Sequence, residues 1–130
     1  MHLLDKLYLF FIHLFGKKEH RIKVLFKHHF FINKYYLRHS ATADDLSTKL
    51  NISNTDLDQL TINQYNLDFH SLRDMYRFQH FWKEFTNPLN SNLPIQSIIS
   101  LCGFSSNEEF NHLISGHKEL SKSILRKSFL

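Results

Sequence analysis

Residues 95–114 read "IQSIISLCGFSSNEEFNHLI". Ile95, Ile98, Ile99 and Leu101 form an apolar face at helical spacing, with Cys102 beside it as a small hydrophobe. Gly103 then breaks the pattern. Glycine enters positive φ without a steric penalty, so Gly103 reads as the end of a helix. Phe104 reads as a core plug, and Ser105 or Ser106 as the N-cap of a second helix. Past that cap, Phe110, Leu113 and Ile114 point inward, while Asn107, Glu108, Asn111 and His112 point outward. Two short helices about one glycine, the second polar on its free side, suit a groove-reading pair. Ordinary helical bundles use the same device.

The pattern occurs once more upstream. Thr42 with Asp45 three residues on is an N-cap with an acidic partner, so a helix starts near Ala43. It carries Leu46 and Leu50 and stops at Asn51. Ser53 is the next N-cap, after which Leu57, Leu60 and Ile62 point inward. The outer face of this helix is Asn54, Thr55, Asp56, Asp58 and Gln59. Between the two pairs, apolar residues at 69, 72, 75/76, 78, 81/82 and 85 predict a long helix over 69–86. Dense apolar residues predict one helix over 21–37, another lies within 2–15, and a basic helix over 121–128 closes the chain.

The expected fold is all-α: two helix-turn-helix subdomains joined by a long linker helix, with an extra N-terminal hydrophobic helix. Three Gly and two Pro are too few for the turns of a sheet protein. The expected domains are 1–20, an apolar helix plus basic segment, and 21–130. Within the latter, the first helix pair covers about 42–65, the linker 69–86 and the second pair 94–116.

Composition excludes several chemistries. Cys102 is the only cysteine, so a reducing, cytoplasmic location is expected. Without a placed His and acid, it reads as a core residue and the chain as no enzyme. None of the ten His residues sits four residues from another, the spacing a helical metal pair needs. No metal and no cofactor are expected. In residues 2–15 the apolar run Leu7 to Phe15 is too short to span a bilayer and is interrupted by His13, and no small-residue cleavage site follows these residues. Their apolar face should pack on 21–37, or, as second choice, on a homodimer or protein partner; a lipid surface ranks lower.

Charge is uneven. Residues 1–40 carry eight Lys/Arg against two acids, a net +6, while 41–69 carry one Lys against five Asp, a net −4. A basic segment suits phosphates, of nucleic acid or of lipid.

The segment "LPIQSIISLCGFSSNEEFNHLI" resembles the second helix-turn-helix of the AraC-type transcriptional regulators, with Gly103–Ser106 as its most specific part. "DLSTKLNISNTDLDQL" is similar to the first helix-turn-helix of that family. "YNLDFHSLRDMYRFQHF" is similar to its turn and linker helix, with Arg77 at the linker arginine, and "ELSKSILRK" to its closing basic segment. The resemblance covers about residues 22–127. It implies a DNA-binding transcriptional regulator whose two recognition helices enter successive major grooves of duplex DNA. Thr55, Asp58, Gln59, Asn107, Glu108, Asn111 and His112 are then the base-facing candidates. Arg73, Arg77, Lys118, Lys122, Arg126 and Lys127 are the phosphate candidates.

Asn66 stands where the family has Gly, and tolerates positive φ. Each recognition helix carries two acids where the family has neutral or basic residues. These repel phosphates and predict weak, salt-sensitive binding. They also favour the alternative, a degenerate helix-turn-helix domain serving as a protein-interaction or dimerisation module.

Overall fold

The computed structural model describes residues 2–15 and 17–115, with side chains from 2–10 and 17–115. Every regular element among them is helical. In chain order these are α1 (Leu3–Phe15), α2 (Lys18–Lys27), α3 (Ala43–Leu50), α4 (Asn54–Tyr65), α5 (Phe69–Phe85), α6 (Ile95–Leu101) and α7 (Asn107–Ile114). The helix expected over 121–128 lies outside the described residues. The sequence boundary near residue 20 falls inside α2. Among the described residues no helix is long and apolar enough to cross a membrane.

The ends of these helices follow from the residues that cap them. Oγ1 of Thr42 accepts the N–H of Asp45 at 3.1 Å, and Oγ of Ser53 accepts that of Asp56 at 3.0 Å. Asn51 and Asn66 end α3 and α4 in the left-handed conformation, at φ 56° and 62°. Such caps satisfy backbone groups that the helix itself leaves open.

The segment after α2 departs from expectation. Instead of one helix to residue 37, His28–Ile32 form a π-helical turn, Lys34 takes φ 50°, and Tyr35–Leu37 form a 3-10 turn. A regular helix cannot point so many apolar residues one way. The wider turn closes with the N–H of Asn33 donating to the carbonyl of His28 at 3.0 Å. Phe26 and Phe30 are fully buried.

The chain forms two compact units. The first takes the residues up to Tyr35 together with Thr42–Phe69. Its centre is aromatic: Phe26 stacks on Phe30 with ring centroids 5.2 Å apart, and Phe69 meets Phe30 edge-on at 6.1 Å. Leu46, Leu50 and Leu57 are buried in the same unit. The pair α3–α4 is pinned by polar bonds across its turn. Oγ of buried Ser47 donates to Oδ1 of Asn54 at 2.6 Å, and Nδ2 of Asn54 donates to Asp44. Asn54 is thus spent inside the pair, not on its outer face. Thr61 takes the buried position of α4 expected for Ile62, which is exposed.

The second unit takes Tyr36–Ala41 and the residues from His70 on. Phe81, Ile98, Ile99, Cys102, Phe104, Phe110 and Ile114 form its core, with Trp82, Phe85, Ile95 and Leu113 packed against it. Leu101, expected inside, is exposed. The buried line of α6 runs through 95, 98, 99 and 102, and Leu101 lies to one side of it.

Arg77 organises this unit. Its guanidinium is almost wholly buried, at 1% side-chain exposure. Nε donates to the carbonyl of Tyr36 at 2.6 Å and Nη2 to that of Arg38 at 2.8 Å, while Nη1 meets Glu109 at 3.1 Å. Nearby, Nη1 of Arg73 donates to the carbonyl of Ala41, and Nε2 of His39 to that of Ser100, both at 2.8 Å. The strap 36–41 is thereby tied to α5 and α6. Gly103, at φ +93°, faces the same knot. A Cβ there would lie 2.8 Å from both Nε of Arg77 and the carbonyl oxygen of Tyr36. So Gly103 serves close approach as well as the turn.

Leu3, Leu4, Leu7, Tyr8 and Phe10 of α1 are 53–72% exposed, so these five side chains do not pack on the segment after it, which was the first choice for this helix.

Candidate nucleic-acid interface

In the first unit, α4 presents Thr55, Asp56, Gln59 and Asn63 to solvent. Beside it lies a cleft of about 500 Å³, lined by Lys18, Ile22 and Lys23 of α2 and by Asp56, Gln59 and Asn63 of α4. Lys18 and Lys23 are exposed there. Sequence spacing did not single them out, because nothing in the local pattern of α2 ties it to α4.

Asp58 is half-buried, and its Oδ1 accepts the N–H of Phe69, the first residue of α5, at 3.1 Å. A carboxylate at a helix N-terminus satisfies an open N–H and favours the dipole. The structure therefore gives Asp58 a capping role and corrects its reading as a base-facing residue.

In the second unit, Ser106 caps α7, with Oγ accepting the N–H of Glu109 at 3.1 Å. Asn107, Glu108, Asn111 and His112 are all exposed. Glu109 turns away from that face. Its carboxylate accepts from Oγ and N–H of Ser105 at 2.6 and 3.1 Å, and pairs with Arg77. Burial works against its charged form. The bonds from Ser105 and the charges of Arg77 and Arg73 outweigh this and hold its carboxyl below the usual glutamate value.

A depressed folded pKa contributes stability above the unfolded value that is lost as pH falls toward the folded one. The second unit should therefore weaken as pH drops below about 4.5, the ordinary glutamate value. Glu109→Gln should be less stable at neutral pH and flatten that acid limb. Chemical denaturation at stepped pH, followed by the fluorescence of Trp82, measures both; an unchanged acid limb in the variant contradicts it.

The phosphate candidates fare differently from the base-facing ones. Arg77 is inside the fold, so its phosphate role is withdrawn: all its bonds go to Tyr36, Arg38 and Glu109. Arg73 is 13% exposed, bound to Ala41 and paired with Asp74 at 3.0 Å, and is likewise committed internally. Lys118, Lys122, Arg126 and Lys127 lie outside the described residues.

Cys102 is fully buried. That burial first, and the charge of Glu84 second, push its thiol up to about 12 against the opposing pull of Arg77, so the nucleophilic thiolate is absent at neutral pH. No cluster of His, Cys, Asp or Glu able to hold a metal occurs among the described residues. No family model, curated protein or solved structure matches this chain.

Proposed function

We propose that this protein binds duplex DNA as an AraC-like regulator, with α3–α4 and α6–α7 as two helix-turn-helix units and α5 as the helix linking them. One observation carries the reading. The same device is built twice: a short helix, a left-handed residue (Asn51, Gly103), then a serine-capped helix (Ser53, Ser106) whose free face is polar. Each second helix enters a major groove, where such a face can read base edges.

The internal roles of Asp58 and Glu109 support the reading further. Two of the four acids on these helices are spent on the fold, which leaves Asp56 and Glu108 exposed toward DNA. Lys18 and Lys23, beside α4, take the phosphate-contacting role that Arg73 and Arg77 cannot. Thr55, Gln59, Asn107, Glu108, Asn111 and His112 remain the base-facing set.

A random-sequence duplex of about three helical turns, titrated by fluorescence anisotropy, tests this. With about four phosphates neutralised, affinity should fall about a hundredfold between about 50 and about 200 mM salt. Asp56→Arg with Glu108→Arg removes two repulsions and adds two contacts, so binding should tighten at least about tenfold and the salt slope steepen by about two. If wild type shows no binding at low salt and the double reversal restores none, the regulator reading fails. The interaction-module reading, which the exposed Ile62 and Leu101 favour, then replaces it.

A further inference from the structure

The helix α1 wears its apolar side outward. On its wheel, among the described side chains 2–10, Leu3, Leu4, Leu7, Tyr8 and Phe10 share one arc, and His2, Asp5, Lys6 and Leu9 lie opposite, with His2 and Lys6 exposed as well. The apolar five are 53–72% exposed. Asp5 and Leu9, four residues apart, are instead half-covered. A surface helix of a globular domain covers its apolar arc instead. Thirteen residues give a length of about 20 Å, short of the bilayer core of about 30 Å.

Directly after α1 come the exposed Lys17 and Lys18, then Lys23 and Lys27 on α2. The segment 1–40 carries a net +6. Apolar side chains in an outward arc, followed by a cluster of cations, are the two halves of an interfacial anchor.

We propose that α1 lies flat in the surface of an anionic membrane. Its apolar arc sits among the upper acyl chains, and Lys17, Lys18, Lys23 and Lys27 meet the lipid phosphates. Charge decides for lipid against a second copy. Self-association through α1 brings two segments of +6 together, whereas an anionic surface neutralises them. DNA would satisfy the lysines but leaves Leu3, Leu4, Leu7, Tyr8 and Phe10 in water. The inference shares Lys18 and Lys23 with the DNA reading, but α4, α7 and the apolar arc are not shared, so loss of vesicle binding in an arc variant that still binds DNA tells the two apart.

Co-sedimentation of the 130-residue chain with vesicles tests it. The probes are pure phosphatidylcholine vesicles and vesicles with about 30% phosphatidylserine. Wild type should partition at least about tenfold more strongly onto the anionic vesicles, and added salt should weaken this. Leu4→Asp with Leu7→Asp should remove at least about tenfold of that binding. Lys17→Glu with Lys18→Glu should remove at least about twentyfold, since each cation near such a surface is worth about fivefold. All four residues are exposed, so both variants should keep the wild-type unfolding curve. Failure of wild type to sediment with anionic vesicles would overturn the proposal. So would equal binding by both variants. Sedimentation equilibrium showing a lipid-free dimer that Leu4→Asp with Leu7→Asp dissolves would also overturn it, and would assign the arc to a second copy.

Discussion

Replacing Arg77 with methionine should cost about 3–5 kcal/mol and loosen the strap 36–41 from its unit. Methionine fills much of the arginine stem's volume, so the loss reports the guanidinium. That group donates to the Tyr36 and Arg38 carbonyls and meets Glu109. Without it, the Tyr36 carbonyl loses its donor in a buried place, the Arg38 carbonyl loses its donor in a part-buried one, and Glu109 loses its nearest counter-charge. An unmade bond in such a place costs more than a made one gains. Arg77→Lys should rescue little, because one ammonium cannot reproduce a planar fork serving three acceptors. Urea unfolding followed by Trp82, the only tryptophan and part of this unit, gives the number. A loss under about 1 kcal/mol would mean that the guanidinium does not hold the strap.

Phe104→Ala should cost a similar amount, about 3–5 kcal/mol, through the cavity it leaves. The ring is 2% exposed and meets Phe110 edge-on with centroids 5.3 Å apart. The Arg77 guanidinium lies over it at 5.7 Å, so the loss also strips one face of the buried arginine. Phe104→Leu keeps most of the volume and should cost less than about 1.5 kcal/mol. The same urea series measures both, and an alanine variant within about 1 kcal/mol of wild type rules out the core-plug role.

The elements most legible in the sequence were those whose signals are local. Thr42, Ser53 and Ser106 announce helix starts because a cap acts on an N–H only three residues away. Asn51, Asn66 and Gly103 announce ends because each tolerates positive φ. The stripe of α5 was legible because burial along one face repeats with the helical period. What escaped were interactions across long sequence separations. Arg77 reads as a surface cation on any wheel; its partners are carbonyls of residues 36 and 38, about forty positions away, which every residue type offers equally. Asp58 reads as an outward acid on α4 alone, yet the start of α5, eleven residues on, lies against it. The π-turn at His28–Ile32 is not legible because the dense apolar residues of 21–37 fit the helical period only roughly and mark no point where the turn widens. The outward arc of α1 is not legible because an apolar helix read by itself does not say whether the chain, a second subunit or another surface covers it. Of the base-facing set, all but Asp58 are exposed, as their place on the free face of a capped helix required.

The contact proposed between DNA and the free faces of α4 and α7 can be trapped by a photocross-linking amino acid placed singly at Gln59, at Asn111 and at Leu89, in the whole chain with a random duplex at low salt. Gln59 and Asn111 lie on the two exposed faces, and Leu89, 90% exposed in the loop between α5 and α6, serves as the control. DNA adducts should form from Gln59 and Asn111 and be lost at high salt, with none above background from Leu89. Adducts from neither helix, or equal yield from all three positions, would contradict the proposed contact.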